Sequence, residues 1–212
     1  VYAQTTYSLA DAFRIVSGLR YSEDTFTTDV TNFLNVESFQ EEGTTDEITS
    51  RVVAEIDFTE DLMGYFALAK GFKPGGSNLT FGFDDDNAPP MVFPTFEAET
   101  VDSVEFGLKS TFADGAARAN IAVFSYSYEN LQFQATDPDI YRGGVANIPE
   151  SEMSGLEIEF TGFLTDSLSL DMNLAFLDSE VTSDYEVLDN VDAYPYFFGQ
   201  EDIRYGLREN VK

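Results

Sequence analysis

The sequence predicts an all-β chain, an antiparallel meander of about eight long strands, and three observations predict it. Apolar and polar residues alternate with period two over several segments, as strands with two unlike faces require. The 212 residues include 20 Phe and 11 Tyr, an aromatic load that favours strands over helices. The connections between the alternating segments are by turns short and long, so the two ends of the meander differ.

Taken in order, residues 2–9 of the opening VYAQTTYSLA read as a strand of ambiguous face, and a chain starting inside a strand is expected to be a piece of something longer. Over residues 12–22, Phe13, Ile15, Leu19 and Tyr21 share one face, while Arg14, Arg20 and Ser22 share the other. Residues 50–58 alternate more weakly, with Val52, Ala54, Ile56 and Phe58 opposite Arg51, Glu55 and Asp57. Residues 62–72 are strand-like, and the sequence leaves open whether Phe66 and Leu68 or Ala67 and Ala69 face lipid. Residues 101–112 set Val104, Phe106, Leu108 and Phe112 against Glu105, Gly107 and Lys109.

Residues 117–134 are again strand-like without a clear face. Residues 155–162 oppose Leu156, Ile158 and Phe160 to Glu157 and Glu159. The cleanest alternation lies at residues 168–176, where Leu168, Leu170, Met172, Leu174 and Phe176 share a face. Short polar turns are expected at residues 9–11, 59–61, 113–116 and 164–167. Long loops are expected at residues 23–49, 73–100 and 135–149, and another after Phe176. The first of these carries eight carboxylates, from Glu23 to Glu47, without a Lys or Arg.

These features meet in one physical setting. A transmembrane β-strand needs about 9 to 11 tilted residues, apolar toward lipid and polar toward the lumen, with short turns inside and long loops outside. The chain therefore reads as part of a transmembrane β-barrel with short inner turns and long outer loops. Arg14 or Lys109 at the lipid midplane would cost about 2 to 4 kcal/mol, so the charged faces are expected to line the lumen: Arg14, Arg20, Glu105, Lys109, Glu157 and Glu159. A soluble sandwich would show the same alternation, and strand length with loop asymmetry decides between them.

Composition removes other classes. A net charge of −28 with 11 Lys and Arg argues against nucleic acid as a partner, because neutralising phosphates takes clustered cations. There is no His and no Cys, so Ser-His and Cys-His catalytic pairs and zinc-thiolate sites are absent. No catalytic residues, cofactor or metal site is assigned, and an enzyme is not expected.

GLRYSED at residues 18–24, YFALAKGFKPGGSN at 65–78 and FEAETVDSVEFGLKSTFADG at 96–115 look like successive motifs of one family. NIAVFSYSYENLQFQ at 120–134 and SGLEIEFTG at 154–162 continue them in order. Together they resemble the barrel of TonB-dependent outer-membrane receptors over residues 1–182. Residues 183–212 match poorly and read as loop or truncated context.

The resemblance implies a bacterial outer-membrane protein importing a scarce nutrient, of the ferric siderophore, vitamin B12 or glycan class. It implies barrel wall embedded in outer-membrane lipid, with import energised by a TonB-type coupling protein through a plug domain absent from this chain. The alternatives are a passive porin and a soluble all-β glycan-binding module.

Candidate ligand contacts lie in the expected outer loops. Asp84, Asp85 and Asp86 cluster carboxylates of the kind that suit hard cations, although they lack the Gly and distal Glu of a calcium loop and read more readily as a solvated loop. Arg142, beside Gly143 and Gly144, could meet an anionic group such as a ferric chelate. Phe124, Tyr126 and Tyr128 are read as an interfacial aromatic belt in preference to a ligand-stacking surface.

Overall fold

The computed structural model describes residues 1–32, 37–78, 95–136, 143–165, 167–184, 186–188 and 207–209. In chain order the strands are β1 (Tyr2–Ala10), β2 (Phe13–Asn32), β3 (Glu37–Thr59), β4 (Leu62–Lys73), β5 (Gly76–Ser77) and β6 (Thr95–Phe96). They continue with β7 (Glu99–Phe112), β8 (Ala117–Thr136), β9 (Gly143–Thr165), β10 (Leu168–Val181), β11 (Glu186–Leu188) and β12 (Leu207–Glu209). Eight of them form a single antiparallel sheet in the order β1-β2-β3-β4-β7-β8-β9-β10, a meander without crossovers. The small pairs β5-β6 and β11-β12 stand outside it.

Register assigns the faces. Phe66 of β4 pairs with Phe106 of β7, which pairs with Val123 of β8, then Leu156 of β9 and Phe176 of β10. Directly paired residues share a face, so these rings and branched chains form one continuous apolar surface. It is left exposed, with Phe66, Leu68, Val104, Phe106, Val123, Leu174 and Phe176 all accessible. The question left open on β4 is thereby answered: Phe66 and Leu68 lie on the apolar face and Ala67 and Ala69 on the other.

Among the described residues, no second sheet covers this surface. Among the described residues, the buried apolar set is Val53, Ala67, Phe124, Ala135, Ala146 and Ile148, too little for a globular core. An uncovered apolar face of this extent is what a bilayer solvates, not water. The opposite face carries Arg14, Arg51, Glu55, Asp57, Glu105, Lys109, Glu157 and Glu159, in register mostly with polar or small neighbours, Met63 and Phe124 apart.

Two of the expected long loops are largely strand. Residues 23–49 are not a loop: β2 and β3 remain paired from Phe13↔Ile56 out to Asn32↔Glu37. Residues 135–149 likewise belong mostly to β8 and β9, which pair as far as Thr136↔Gly143. The β2 and β3 extensions carry mostly polar residues on both faces, as strands standing in water do, so period two vanishes from their sequence. Thr-rich pairing sustains them instead, with Thr25 Oγ1 3.2 Å from Thr44 Oγ1 across the hairpin. At the other end the links stay short, as between Thr59 and Leu62, where the Asp61 N–H donates to Thr59 Oγ1 at 3.2 Å.

Candidate functional site

On the polar face, one row of paired residues runs Tyr65, Gly107, Ala122, Glu157 and Ala175 across β4 to β10. Tyr65 lies flat over Gly107, where a Cβ would fall inside its ring. Glycine there lets the tyrosine cross β7 and donate its hydroxyl to Glu105 Oε1 at 2.5 Å. Lys109 sits with its Nζ 5.3 Å from the Tyr65 ring centroid, a cation over an aromatic face. Asn120 Nδ2 donates to Glu159 Oε2 at 3.0 Å.

Tyr65, Glu105, Lys109, Asn120, Glu157 and Glu159 thus line one polar depression of about 220 Å³. Three carboxylates face one ammonium, so its field is negative. Arg14 and Arg20 do not reach it. Arg14 bonds Glu55 through Nε and Asp57 through Nη1, the latter at 2.7 Å, while Arg20 Nε donates to Ser22 Oγ at 2.9 Å. The six charged residues singled out in the sequence therefore all share the face opposite the apolar one, but only Glu105, Lys109, Glu157 and Glu159 meet, and Arg14 and Arg20 stand apart with separate partners.

The aromatic belt expected at residues 124–128 is overturned by register. Phe124 pairs with Glu105 and with Gly155, so it and its i+2 and i+4 neighbours lie on the polar face. Phe124 is 9% exposed. It stacks on Tyr126 at 4.8 Å, and Tyr126 meets Tyr128 edge-on at 6.5 Å, which makes a ladder climbing β8 on the charged side. The sequence misleads here because Ile121 and Val123, on the other face, are apolar as well.

Above the ladder, side-chain amides tie the root of the β4-β7 connection to the β8-β9 hairpin. Asn78 Nδ2 donates to the Val145 carbonyl at 2.8 Å and Asn78 Oδ1 accepts from the Val145 N–H at 2.7 Å, the pairing a further strand would make. Gly144 permits it, because a Cβ there would press on the Asn78 amide. Asn147 does the same for Glu97, accepting from its N–H at 2.7 Å and donating to its carbonyl at 3.0 Å, with a second donation to the Asn130 carbonyl at 2.8 Å. Gln132 Nε2 donates to the Pro74 carbonyl at 2.8 Å and the Glu97 carbonyl at 3.1 Å.

Both feet of the connection, residues 73–78 and 95–98, are therefore fixed to one hairpin. Sequence reasoning missed Asn78, Gln132 and Asn147, for isolated amides in polar segments carry no periodic signal. Asp84, Asp85, Asp86 and Arg142 lie outside the described residues. Among the described residues, no group of three or more His, Cys, Asp or Glu gathers as a metal ion would need.

Residues 1–206 match the family model for the TonB dependent receptor-like β-barrel. The pesticin receptor of Yersinia enterocolitica is 28% identical over 195 residues, covering 88% of this chain and 26% of that protein. A probable TonB-dependent siderophore receptor, PiuA of Acinetobacter baumannii, is 29% identical over 156 residues, covering 71% of this chain and 20% of its own length. Among solved structures, the ferric yersiniabactin uptake receptor FyuA of Yersinia pestis superposes with a TM-score of 0.68 at 25% identity, over 85% of this chain and 26% of that one. The chain spans about a quarter of the length of these Yersinia relatives.

Proposed function

This chain belongs to the TonB-dependent receptor-like β-barrel family, and on that footing we propose that it supplies eight strands of wall and part of the outer mouth of an outer-membrane importer for a scarce nutrient. The observation that carries the reading is the sheet itself. Its continuous exposed apolar face, backed by a charged one, joins short turns at one end to hairpins reaching well past the apolar band at the other. The nutrient is a small molecule of the ferric chelate class, consistent with relatives named as siderophore and yersiniabactin receptors.

In this reading the polar face lines the lumen, and the hairpins with their tied connection bind ligand together with a plug domain. A TonB-type coupling protein then drives plug rearrangement to open a path along the wall. The chain's own residues bind, shape and keep the path wet: the Tyr65, Glu105 and Lys109 cluster presents a negative surface to whatever fills the lumen. The role is transport and not catalysis.

The test is uptake of radiolabelled ferric chelates by iron-starved cells producing the outer-membrane protein that contains this chain. Accumulation should require that protein and should collapse when the coupling protein is deleted. Uptake that rises linearly with concentration and ignores the deletion would instead establish a passive pore.

A further inference from the structure

The aromatic ladder on β8 ends at a pocket that nothing above uses. Opposite Asn130, whose φ is 55°, stands Pro149, which has no N–H, and one rung of the β8-β9 ladder is missing there. A little further along, β10 leaves its partner. Val181↔Ser151 is its last rung, after which the Thr182 N–H donates to the Glu150 carbonyl at 3.1 Å. Between these two irregularities the sheet opens a cavity of about 310 Å³, walled by Tyr128, Leu131, Phe133, Ile148, Met153 and Val181.

One wall atom is out of place in such a lining. Ser151 is 7% exposed, and its Oγ has no hydrogen-bond partner among the described residues. Buried hydroxyls are nearly always paired, so one left open toward a cavity marks where a ligand atom would complete it.

We propose that this pocket is a binding subsite for the neutral, ring-bearing part of a small ligand, packed on Tyr128 and Phe133 and hydrogen-bonded to Ser151 Oγ. The proposal rests on the import reading and narrows its substrate class. Ligand cavities run from roughly 300 to 1,000 Å³, so this one suits a single substituted ring and not a whole chelate. Its rim selects against anions. Among the described residues, no Lys or Arg lines it. A carboxylate entering there would give up hydration with no cation to replace it.

The test uses the outer-membrane protein containing this chain in lipid nanodiscs, with 4-fluorophenol and 4-fluorobenzoate as probes followed by fluorine NMR. Ile148→Trp, which fills the cavity, supplies the correction for partition into lipid. 4-Fluorophenol should bind wild type and lose all specific broadening in Ile148→Trp. Ser151→Val should weaken it about tenfold, the value of one neutral hydrogen bond, and 4-fluorobenzoate should bind at least tenfold more weakly than the phenol. Val181→Trp provides a second filled variant should Ile148→Trp fail to give a heat-modifiable barrel.

Probe binding that is absent from wild type, for instance because another segment of the chain occupies the pocket, overturns the proposal. So does binding unchanged by either filling variant, or benzoate binding as tightly as phenol. Import independent of the coupling protein, with probe binding intact, would strike the import reading and leave the subsite standing.

Discussion

Replacing Asn147 by alanine tests whether side-chain amides hold the outer connection. The substitution removes three hydrogen bonds, two to the backbone of Glu97 and one to the Asn130 carbonyl, at 2.7 to 3.0 Å. Each is worth about 0.5 to 1.5 kcal/mol net, and the site is partly open to water, so the lower half of that range applies and the sum is about 1.5 to 3 kcal/mol. At about 1.4 kcal/mol per factor of ten, local opening should become roughly 50-fold more frequent. The assay is hydrogen exchange at the Glu97 amide, whose protection comes from Asn147 Oδ1, with the Phe106 amide in the middle of β7 as the internal standard. Glu97 should exchange about 50-fold faster while Phe106 is unchanged, since Asn78 and Gln132 still anchor the rest of the strap. Asn147→Asp should protect the Glu97 amide only in part, because it still accepts from the Glu97 N–H but loses both donations and sets a carboxylate beside that of Glu97. Glu97 exchange within threefold of wild type in Asn147→Ala would refute the clamp as the source of order.

Two further substitutions probe the faces and their packing. Val123 and Ala122 are neighbours on β8 with opposite surroundings. Val123→Arg should cost about 2 to 4 kcal/mol in urea unfolding of the barrel in lipid vesicles, whereas Ala122→Arg, beside Glu157, should cost less than about 1 kcal/mol. Equal costs would mean the two faces have been assigned wrongly. Gly107→Ala should destabilise by about 1 to 3 kcal/mol by driving Tyr65 off Glu105, and in a Tyr65→Ala background the same change should be nearly neutral. A penalty that persists without the tyrosine ring would place the strain elsewhere.

What the sequence disclosed follows from which solvent each face meets. Strands between lipid and water, such as β10, declare themselves, because every second residue from Leu170 to Phe176 must be apolar. β8 is harder, because its lumen side carries Phe124, Tyr126 and Tyr128 and its lipid side Ile121 and Val123, so both faces look oily and only pairing with Glu105 tells them apart. The β2-β3 extension was illegible for the reverse reason, having mostly polar residues on both faces. The clamp was invisible because each of its bonds joins residues far apart in sequence: Asn78 to Val145, and Asn147 to Glu97. The charged residues of the polar face were legible one by one, but only the register shows that Glu105 and Glu157 converge on Tyr65 while Arg14 belongs to Glu55 and Asp57.

The apolar band also records how the strands lie in the membrane. Following direct pairs from Phe176 on β10 leads through Leu156, Val123, Phe106, Phe66 and Ala54 to Ile15 on β2. On β10 the band ends at Phe176, since the next residues on that face are Asp178 and Glu180. On β2 it continues past Ile15 to Tyr21 and stops only before Glu23, which is six residues higher (21 − 15 = 6) and six strand-to-strand steps away. The upper edge of the band therefore shifts by about one residue per strand. A bilayer surface is flat, so a boundary that slides along the hydrogen-bonded rows means that the strands are inclined to the membrane normal. With about 3.4 Å per residue along a strand and about 4.8 Å between strands, one residue per step corresponds to a tilt of roughly 35°. Closed barrels require tilts of about 35 to 45°. The polar and apolar residues, placed only by register, thus report the inclination that lets this sheet take its place in a barrel.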